Sequence, residues 1–226
     1  LANQLGVSIT TLSTYLDELN DWLHPFRLRI NRRRGIGVEL VGSEINKRRA
    51  LARYYLDFFY ELILEELFTL GKTIETKPKI LHFFQTTYFI SIDKIVHQVL
   101  YEQKLELADH DFIGVMIHIC IAMQRTEMGH SLQADDQKVE EIGNESAIIK
   151  DICKRLESEH PITLSQADQS ALAIILKGSK LQATGDLSYE RADLNRLVTH
   201  LIQFVSTELH VDLTRDFSLH QGLLAH

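Results

Sequence analysis

The feature that most constrains this chain is one apolar run with a single histidine inside it. Residues 112–123 are apolar except for His118, and the stretch from Asp109 to Gly129 has the length and the period of one helix. Bulky apolar side chains occupy most of its surface, so we expect this helix to be buried almost all round. Small and polar residues share the face of the histidine, namely Asp111, Gly114, Ala122 and Arg125.

Two interpretations of His118 follow from this pattern alone. In the first, the imidazole is a core group that is hydrogen-bonded to a neighbour. In the second, the narrow polar face holds the imidazole where another protein surface can approach it. The helix by itself favours the first interpretation, so the remainder of the chain has to decide.

Composition excludes several classes of protein. The 226 residues are 45% hydrophobic and 24% charged, which is typical of a globular protein, and the length suits two compact domains or one large one. The apolar run is too short to span a bilayer, and no secretory signal is visible, so we expect a cytoplasmic protein without membrane insertion. Cys120 and Cys153 lie in helical apolar patterns and are expected to be buried thiols.

The sequence contains none of the usual signatures of catalysis. It has no HExxH or CxxC spacing, no glycine-rich phosphate loop and no nucleophile that can be placed beside a base. We therefore predict that the protein is not an enzyme and needs no cofactor and no metal.

Charge is distributed unevenly along the chain. Residues 1–49 carry a formal charge of +3, whereas residues 50–226 carry −10. A basic head on an acidic body is the distribution expected when only the head contacts nucleic acid.

The first residues have the pattern of a helix-turn-helix. Gly6 is expected to end one helix, and Ser8 is placed to cap a second helix that runs to Leu23. Its predicted buried face consists of Leu12, Leu16, Leu19, Trp22 and Leu23. Short hydroxyls in its first half can contact phosphates and base edges, which predicts a DNA-binding surface made of Ser8, Thr10, Thr11, Ser13, Thr14 and Tyr15.

After Pro25 the period changes from 3.6 to 2. Phe26, Leu28 and Ile30 alternate with polar residues, and a second alternating run follows residue 35, which predicts a β-hairpin. Its tip carries Arg32, Arg33 and Arg34. Adjacent arginines are often a solvated loop, but beside a helix-turn-helix they predict a wing that contacts the DNA backbone or the minor groove.

Helical patterns dominate the remainder. Ser43 is placed to cap a helix to Leu70, and Ser165 and Asp168 form a predicted capping box. The other predicted helices cover residues 93–104, 145–157, 165–177, 190–210 and 217–226, and residues 80–89 form a short apolar-aromatic segment. Predicted linkers cover residues 71–78 and 178–186.

A repeat suggests that the helical part is duplicated. Gly114 precedes His118 by four residues, and Gly222 precedes His226 in the same way, 108 residues later. The predicted fold is mostly α: a winged helix-turn-helix with a small β-hairpin, then an all-α helical-bundle module and the start of a second one. The predicted boundaries are 1–45 for the head, which is expected to be incomplete at its N-terminus, 46–78 for a connector helix and linker, 79–185 for the first module and 186–226 for a truncated second module.

Several strings resemble known regulators. LANQLGVSITTLSTYLDEL followed by GIGVELVGSEINKRRAL resembles the Mga-type helix-turn-helix of sugar-operon regulators. His118, Arg125 and Gly129 are spaced as in the signature of the PTS regulation domain (PRD), and residues 164–180 match a later helix of that domain loosely. The chain is thus similar to transcriptional regulators of the BglG/MtlR/LicR type.

This resemblance carries specific expectations. It implies a DNA-binding activator of a carbohydrate operon, a homodimer in the cytoplasm, whose histidines are phosphorylated by the phosphocarrier HPr or by an enzyme IIB. It implies phosphorylation at His118 and His226, with Arg125, Asp111 and Gly114 around the first site. A second histidine of the first domain is replaced by Ile175, which leaves His118 as its one predicted site.

One alternative shares the same regulation domains. RNA-binding antiterminators carry PRDs behind a small β-rich head, whereas residues 1–41 have a helix-turn-helix pattern here. The direction of the phosphorylation switch is left open by the sequence.

Overall fold

Two short antiparallel ribbons interrupt an otherwise helical chain in the described part of the computed structural model. That part comprises residues 2–33, 37–70, 84–133, 143–179 and 181–183, with 198, 201–202, 204–206, 211 and 213. In chain order its elements are α1 (Ala2–Leu5), α2 (Ile9–Leu23), a 3-10 turn (His24–Phe26), β1 (Arg29–Arg33), β2 (Gly37–Val41), α3 (Glu44–Leu70), α4 (Thr86–Glu102), β3 (Leu105–Leu107), α5 (Asp109–Glu127), α6 (Gly143–Glu159), α7 (Gln166–Gly178) and β4 (Leu181–Ala183). The expected fold class, mostly α with a small hairpin, is confirmed.

The start of the chain folds as its capping residues predict. Gly6 follows α1 with a φ of +66°, a left-handed conformation that favours glycine, and the chain turns there into α2. The Ser8 hydroxyl accepts a hydrogen bond from the Thr11 amide at 3.0 Å and caps α2. The two helices therefore meet at the short turn that a helix-turn-helix requires.

The wing is present but begins later than predicted. β1 and β2 pair antiparallel from Arg29 opposite Val41 to Arg33 opposite Gly37. Phe26 and Leu28 precede the strand, because Pro25 opens a 3-10 turn and Arg27 leaves it with a φ of 55°. The alternating pattern in this segment therefore marked packing positions outside the ribbon as well as inside it.

The predicted buried face of α2 is only partly buried. Leu23 is the one residue of that face that is buried, and Leu19 is 45% exposed. Leu23 forms a small cluster with Leu28 and Ala50, and the partly buried Ile30 of β1 packs against it. β1 also contacts α2 through a hydrogen bond from the Ile30 amide to the Asn20 side chain, at 2.8 Å.

The main hydrophobic core surrounds α5. Nine residues of this helix are buried, on nearly every side, and α3, α4, α6 and α7 supply the side chains around them. Ala52, Tyr55 and Ile63 place α3 in this same core, so the helix after the wing packs directly against the following bundle. Cys120 and Cys153 are free and buried, as expected.

Two predictions in the helical part were wrong. The helix predicted for residues 93–104 starts too late, since α4 runs unbroken from Thr86: residues 90–92 contain no helix breaker and Ile92 is fully buried. The segment 178–186 was predicted as a linker, but residues 181–183 form β4 and pair antiparallel with β3. Strands of three residues carry too short a pattern for sequence recognition. The predicted linker 71–78 and nearly all of the second module lie outside the described residues.

Candidate functional sites: the histidine helix and the DNA-binding head

His118 lies near the middle of α5, the central helix of the core. Its side chain is half-buried, and burial, followed by the nearby charge of Arg49, lowers its pKa to about 4 from an ordinary value of 6.5. The imidazole is therefore neutral at physiological pH and keeps one ring nitrogen with a free lone pair. Gly114 lies one turn earlier, and a Cβ added there would meet no atom of the described residues within 4 Å. The histidine is thus uncharged, with open space beside the turn before it.

Helix α3 runs antiparallel to α5 along the histidine face. At one end Arg125 donates to Glu44 through Nε and Nη2, at 2.7 and 2.8 Å. At the other end the Tyr60 and His110 rings are 5.2 Å apart. His118 lies between these two contacts, so α3 borders the predicted phosphorylation site.

Arg125 does not stand free beside the histidine. Its guanidinium forms a bidentate pair with Glu44, and its side chain is about one quarter exposed. Burial by itself would raise the pKa of Glu44, but hydrogen bonds and charge from Arg125 and Arg48 hold that pKa below its usual value. Arg125, predicted as a phosphate partner, is therefore already engaged with a carboxylate.

A buried ionic network extends from this pair. Arg48 donates to Glu44 at 3.2 Å, to Asp168 at 2.6 Å and to the His130 carbonyl at 2.8 Å. Asp168 is fully buried and also accepts hydrogen bonds from the Ser165 and Leu132 amides at 2.9 and 3.2 Å. The predicted capping box of α7 is confirmed, and its carboxylate is also the anchor of Arg48. The network joins α3, which follows the wing, to α5 and α7.

This network could not be predicted from local sequence patterns. Arg48 and Asp168 are 120 positions apart, and Glu44 and Arg125 are 81 apart. No local period or motif links such residues. The available signal was weak: charged residues at helical spacing on the otherwise buried side of α3.

Other predicted residues of the first module are placed as follows. Asp111 lies in the first turn of α5, on the histidine side, and His110 Nδ1 is 3.9 Å from its carboxylate. Ile175 is partly buried against the main core. Gly222 and His226 lie outside the described residues.

In the head, most of the predicted hydroxyls make local bonds. The Ser8 and Thr11 hydroxyls are 2.8 Å apart, and Thr14 donates to the Thr10 carbonyl at 3.3 Å. Tyr15, by contrast, is 52% exposed. All of these residues lie at the surface on the first half of α2, but capping and back-bonding engage several of the groups that were predicted to contact DNA.

Arg32 connects the wing to α2. Its guanidinium donates to the Ser13 hydroxyl at 3.0 Å and to the Asp17 carboxylate at 2.6 Å. These bonds bring the tip end of the wing and the predicted DNA-facing helix together on one surface. Arg33 is exposed at the last position of β1, and Arg34 lies outside the described residues.

Comparison with known proteins agrees with this arrangement. Residues 1–55 match the Mga helix-turn-helix domain family, and residues 93–179 match the PRD domain family. An Mga helix-turn-helix domain followed by a PRD domain supports the resemblance to regulators of the BglG/LicR type. α2 and the wing therefore form its Mga head, and α5 carries His118 within its PRD.

Two curated proteins of Bacillus subtilis (strain 168) resemble the whole chain. The probable licABCH operon regulator is 25% identical over 232 residues, which cover 100% of this chain and 34% of that protein. The transcriptional regulator ManR is 25% identical over 227 residues, covering 97% of this chain and 33% of that protein. The chain spans about a third of the length of these relatives.

None of the described helices combines the length and the apolar character that crossing a bilayer requires.

Proposed function

We propose that this chain is the DNA-binding and sensing part of a transcriptional activator of a carbohydrate operon, acting in the cytoplasm. The observation that carries the proposal is the order and packing of its two units. A winged head leads through α3 directly into the core that surrounds the histidine helix. A change of charge at His118 would therefore be felt by the helix that supports the wing.

DNA binding is assigned to the α2 surface and the wing. The exposed Tyr15 and Arg33 are free to reach bases and phosphates, while Arg32 holds the wing against α2. Helix-turn-helix proteins bind paired half-sites as dimers, which supports a homodimer as the active form. Sedimentation of the full-length protein with and without operator DNA tests that assignment.

Phosphorylation is assigned to His118, and to His226 in the second module. The donor is a phosphohistidine of HPr or of an enzyme IIB. The lone pair of a neutral His118 nitrogen forms the new N–P bond, and the donor N–P bond breaks with its electron pair left on the donor nitrogen. The transfer consumes no water and no oxidant. It replaces a neutral ring by roughly 1.5–2 negative charges, by analogy with other phosphorylated side chains.

The phosphorylation assignment is tested by mapping phosphopeptides after incubation with enzyme I and HPr, with and without enzyme IIB. Label at His118 is the expected result. His118→Ala and His118→Asp proteins should then differ in promoter activity, because only the second carries a negative charge at the site. Equal activity of the two variants would exclude a switch at this position.

The nature of the nucleic acid is tested by binding to duplex operator and to hairpin RNA. Duplex binding is expected, with a log–log salt slope that falls in magnitude by about 1 in Arg33→Ala, since one phosphate contact is lost. Arg155→Ala is the matched control, because Arg155 lies on α6 and pairs with Glu102 and Asp151. Preferential binding to the hairpin would favour the antiterminator alternative.

A further inference from the structure

The flank of α3 that faces the histidine helix carries one arginine that is not yet engaged. On a 3.6-residue period, Arg49, Leu56 and Tyr60 lie along one strip of α3. Leu56 packs against the main core, and Tyr60 contacts His110 of α5. Arg49 therefore lies on the strip of α3 that borders α5.

The two end contacts locate Arg49 along α5. They span residues 44–60 of α3 and 110–125 of α5, which are about 24 and 23 Å of helix at 1.5 Å per residue. His118 lies near the midpoint of the α5 span, about 10 Å from the Arg125 end, and Arg49 lies about 8 Å from the Glu44 end of α3. A long arginine side chain easily covers the remaining offset. The electrostatic effect of Arg49 on the His118 imidazole agrees with this position.

The neighbouring arginines are already committed. Arg48 is bound by Asp168, Glu44 and the His130 carbonyl, and Arg125 is bound by Glu44. Arg49 is exposed, and among the described residues it forms no hydrogen bond or ion pair. Of these three guanidiniums, Arg49 is the one whose donors are available to a new anion.

We propose that Arg49 holds the phosphoryl group of phosphorylated His118, with its guanidinium donating to the phosphate oxygens across the α3–α5 boundary. The proposal rests on the proposed phosphorylation of His118. Helical side chains lean towards the N-terminus, so the imidazole leans over the turn of Gly114, where a Cβ would meet no atom of the described residues within 4 Å. That space is open to a phosphoryl group, and Arg49, extended along α3 towards it, supplies the bidentate geometry that phosphate binding favours.

Arg49 therefore makes a different pair from the one that the family spacing suggested. Arg125 remains with Glu44, and the charge added at His118 is met from α3 by Arg49. Helix α3 also carries Arg48 and the start of the core face. Through Arg49, the phosphate therefore attracts the helix that supports the wing. Arg49 acts as a positioning residue for the phosphorylated state and takes no part in breaking the donor bond.

The test compares Arg49→Ala, Arg49→Lys and Arg53→Ala in the full-length protein. Arg53 is the matched control, because it lies one turn further along α3, is 64% exposed and pairs with Asp57. Each protein is labelled with phosphoramidate, a small donor with an N–P bond, and separately with phosphorylated HPr. The half-life of phospho-His118 is followed by intact mass and by ³¹P NMR.

We expect Arg49→Ala to shorten the half-life and lower the yield about 10-fold with both donors, since a charge-assisted bidentate contact is lost. Arg49→Lys should recover part of the loss, and Arg53→Ala should match the wild type. An unchanged half-life in Arg49→Ala, or an equal loss in Arg53→Ala, overturns the proposal. A loss of operator affinity in Arg49→Ala without any effect on phospho-His118 also overturns it and assigns Arg49 to DNA.

Two further results separate this inference from the proposed function. One outcome is that phosphoramidate labels wild-type His118 when neither HPr nor enzyme IIB does. In that case the proposed phosphorylation switch is refuted, while the half-lives still decide the role of Arg49. If neither donor labels His118, both fail. Independently, an NMR titration of the His118 ring should give a higher pKa in Arg49→Ala than in Arg53→Ala, and equal values contradict the placement of Arg49.

Discussion

Removing the Asp168 carboxylate is the sharpest test of the ionic network that joins α3 to the bundle. The side chain is fully buried and accepts hydrogen bonds from Arg48, from two backbone amides and from the Ser165 hydroxyl at 2.7 Å. Asp168→Ala leaves the Arg48 charge, whose side chain is 8% exposed, without its closest partner. Breaking a buried pair in this way costs about 3–5 kcal/mol in free energy of unfolding. The melting temperature should fall by about 6–20 °C, at about 2–4 °C per kcal/mol.

The control for this experiment is Asp151→Ala. Asp151 pairs with Arg155 at 2.9 Å, but both side chains are about one third exposed, so the expected cost is about 0–1 kcal/mol. Urea unfolding followed by circular dichroism measures the stability of both variants. Equal m-values show that both expose the same amount of surface on unfolding, so their free energies can be compared.

A double variant tests the reasoning behind the magnitude. In the double variant Arg48→Met/Asp168→Leu neither member of this buried pair is left without its partner. Its loss in free energy of unfolding should therefore be smaller than the summed losses of Arg48→Met and Asp168→Leu, each measured alone. If Asp168→Ala is as mild as Asp151→Ala, the network does not hold α3 against the bundle. If the double variant is as unstable as the sum, the cost arises from lost packing and the charge argument is refuted.

Two other predictions concern His118 and the glycines. The folded state disfavours the His118 imidazolium, so the unfolded chain binds the proton first as the pH falls. Relative to His118→Gln, the free energy of unfolding should fall by roughly 3 kcal/mol between about pH 6.5 and about pH 4. Urea unfolding at each pH measures it. A flat difference across that range contradicts the lowered pKa. Gly42→Ala should destabilise by about 1–3 kcal/mol, because its φ is 149° and the new Cβ would overlap the Leu28 side chain and lie 3.2 Å from the Arg27 carbonyl. Gly114→Ala is the control and should stabilise α5 by up to about 1 kcal/mol, since that position is helical and open; a larger loss at Gly114 than at Gly42 would refute the comparison.

The sequence predicted well whatever depends on local chemistry. The cap at Ser8, the stop at Gly6 and the box at Ser165 and Asp168 are all formed, because each needs residues only three or four positions apart. The buried helix around His118 was also predictable, since its apolar run is too long for a strand.

Pairing across long separations was not predictable from one sequence. β3 and β4 are joined by a register between residues 105–107 and 181–183, and nothing in either tripeptide marks the other. The same holds for Arg48, whose role is set by Asp168. Family spacing placed Arg125 near the histidine but carried no information about Glu44, which occupies its guanidinium.

The separation of Arg48 from Asp168 also has a consequence during synthesis. At about 5–20 residues per second, the ribosome adds the intervening 120 positions in roughly 6–24 s. During the first part of that interval the winged head can already exist, while the charged and apolar face of α3 beneath it lacks the helices that it packs against. The nascent chain therefore passes through a stage in which its winged head is synthesised but not yet packed, through α3, against the core around His118. An isolated fragment ending near residue 55 would be held permanently at that stage.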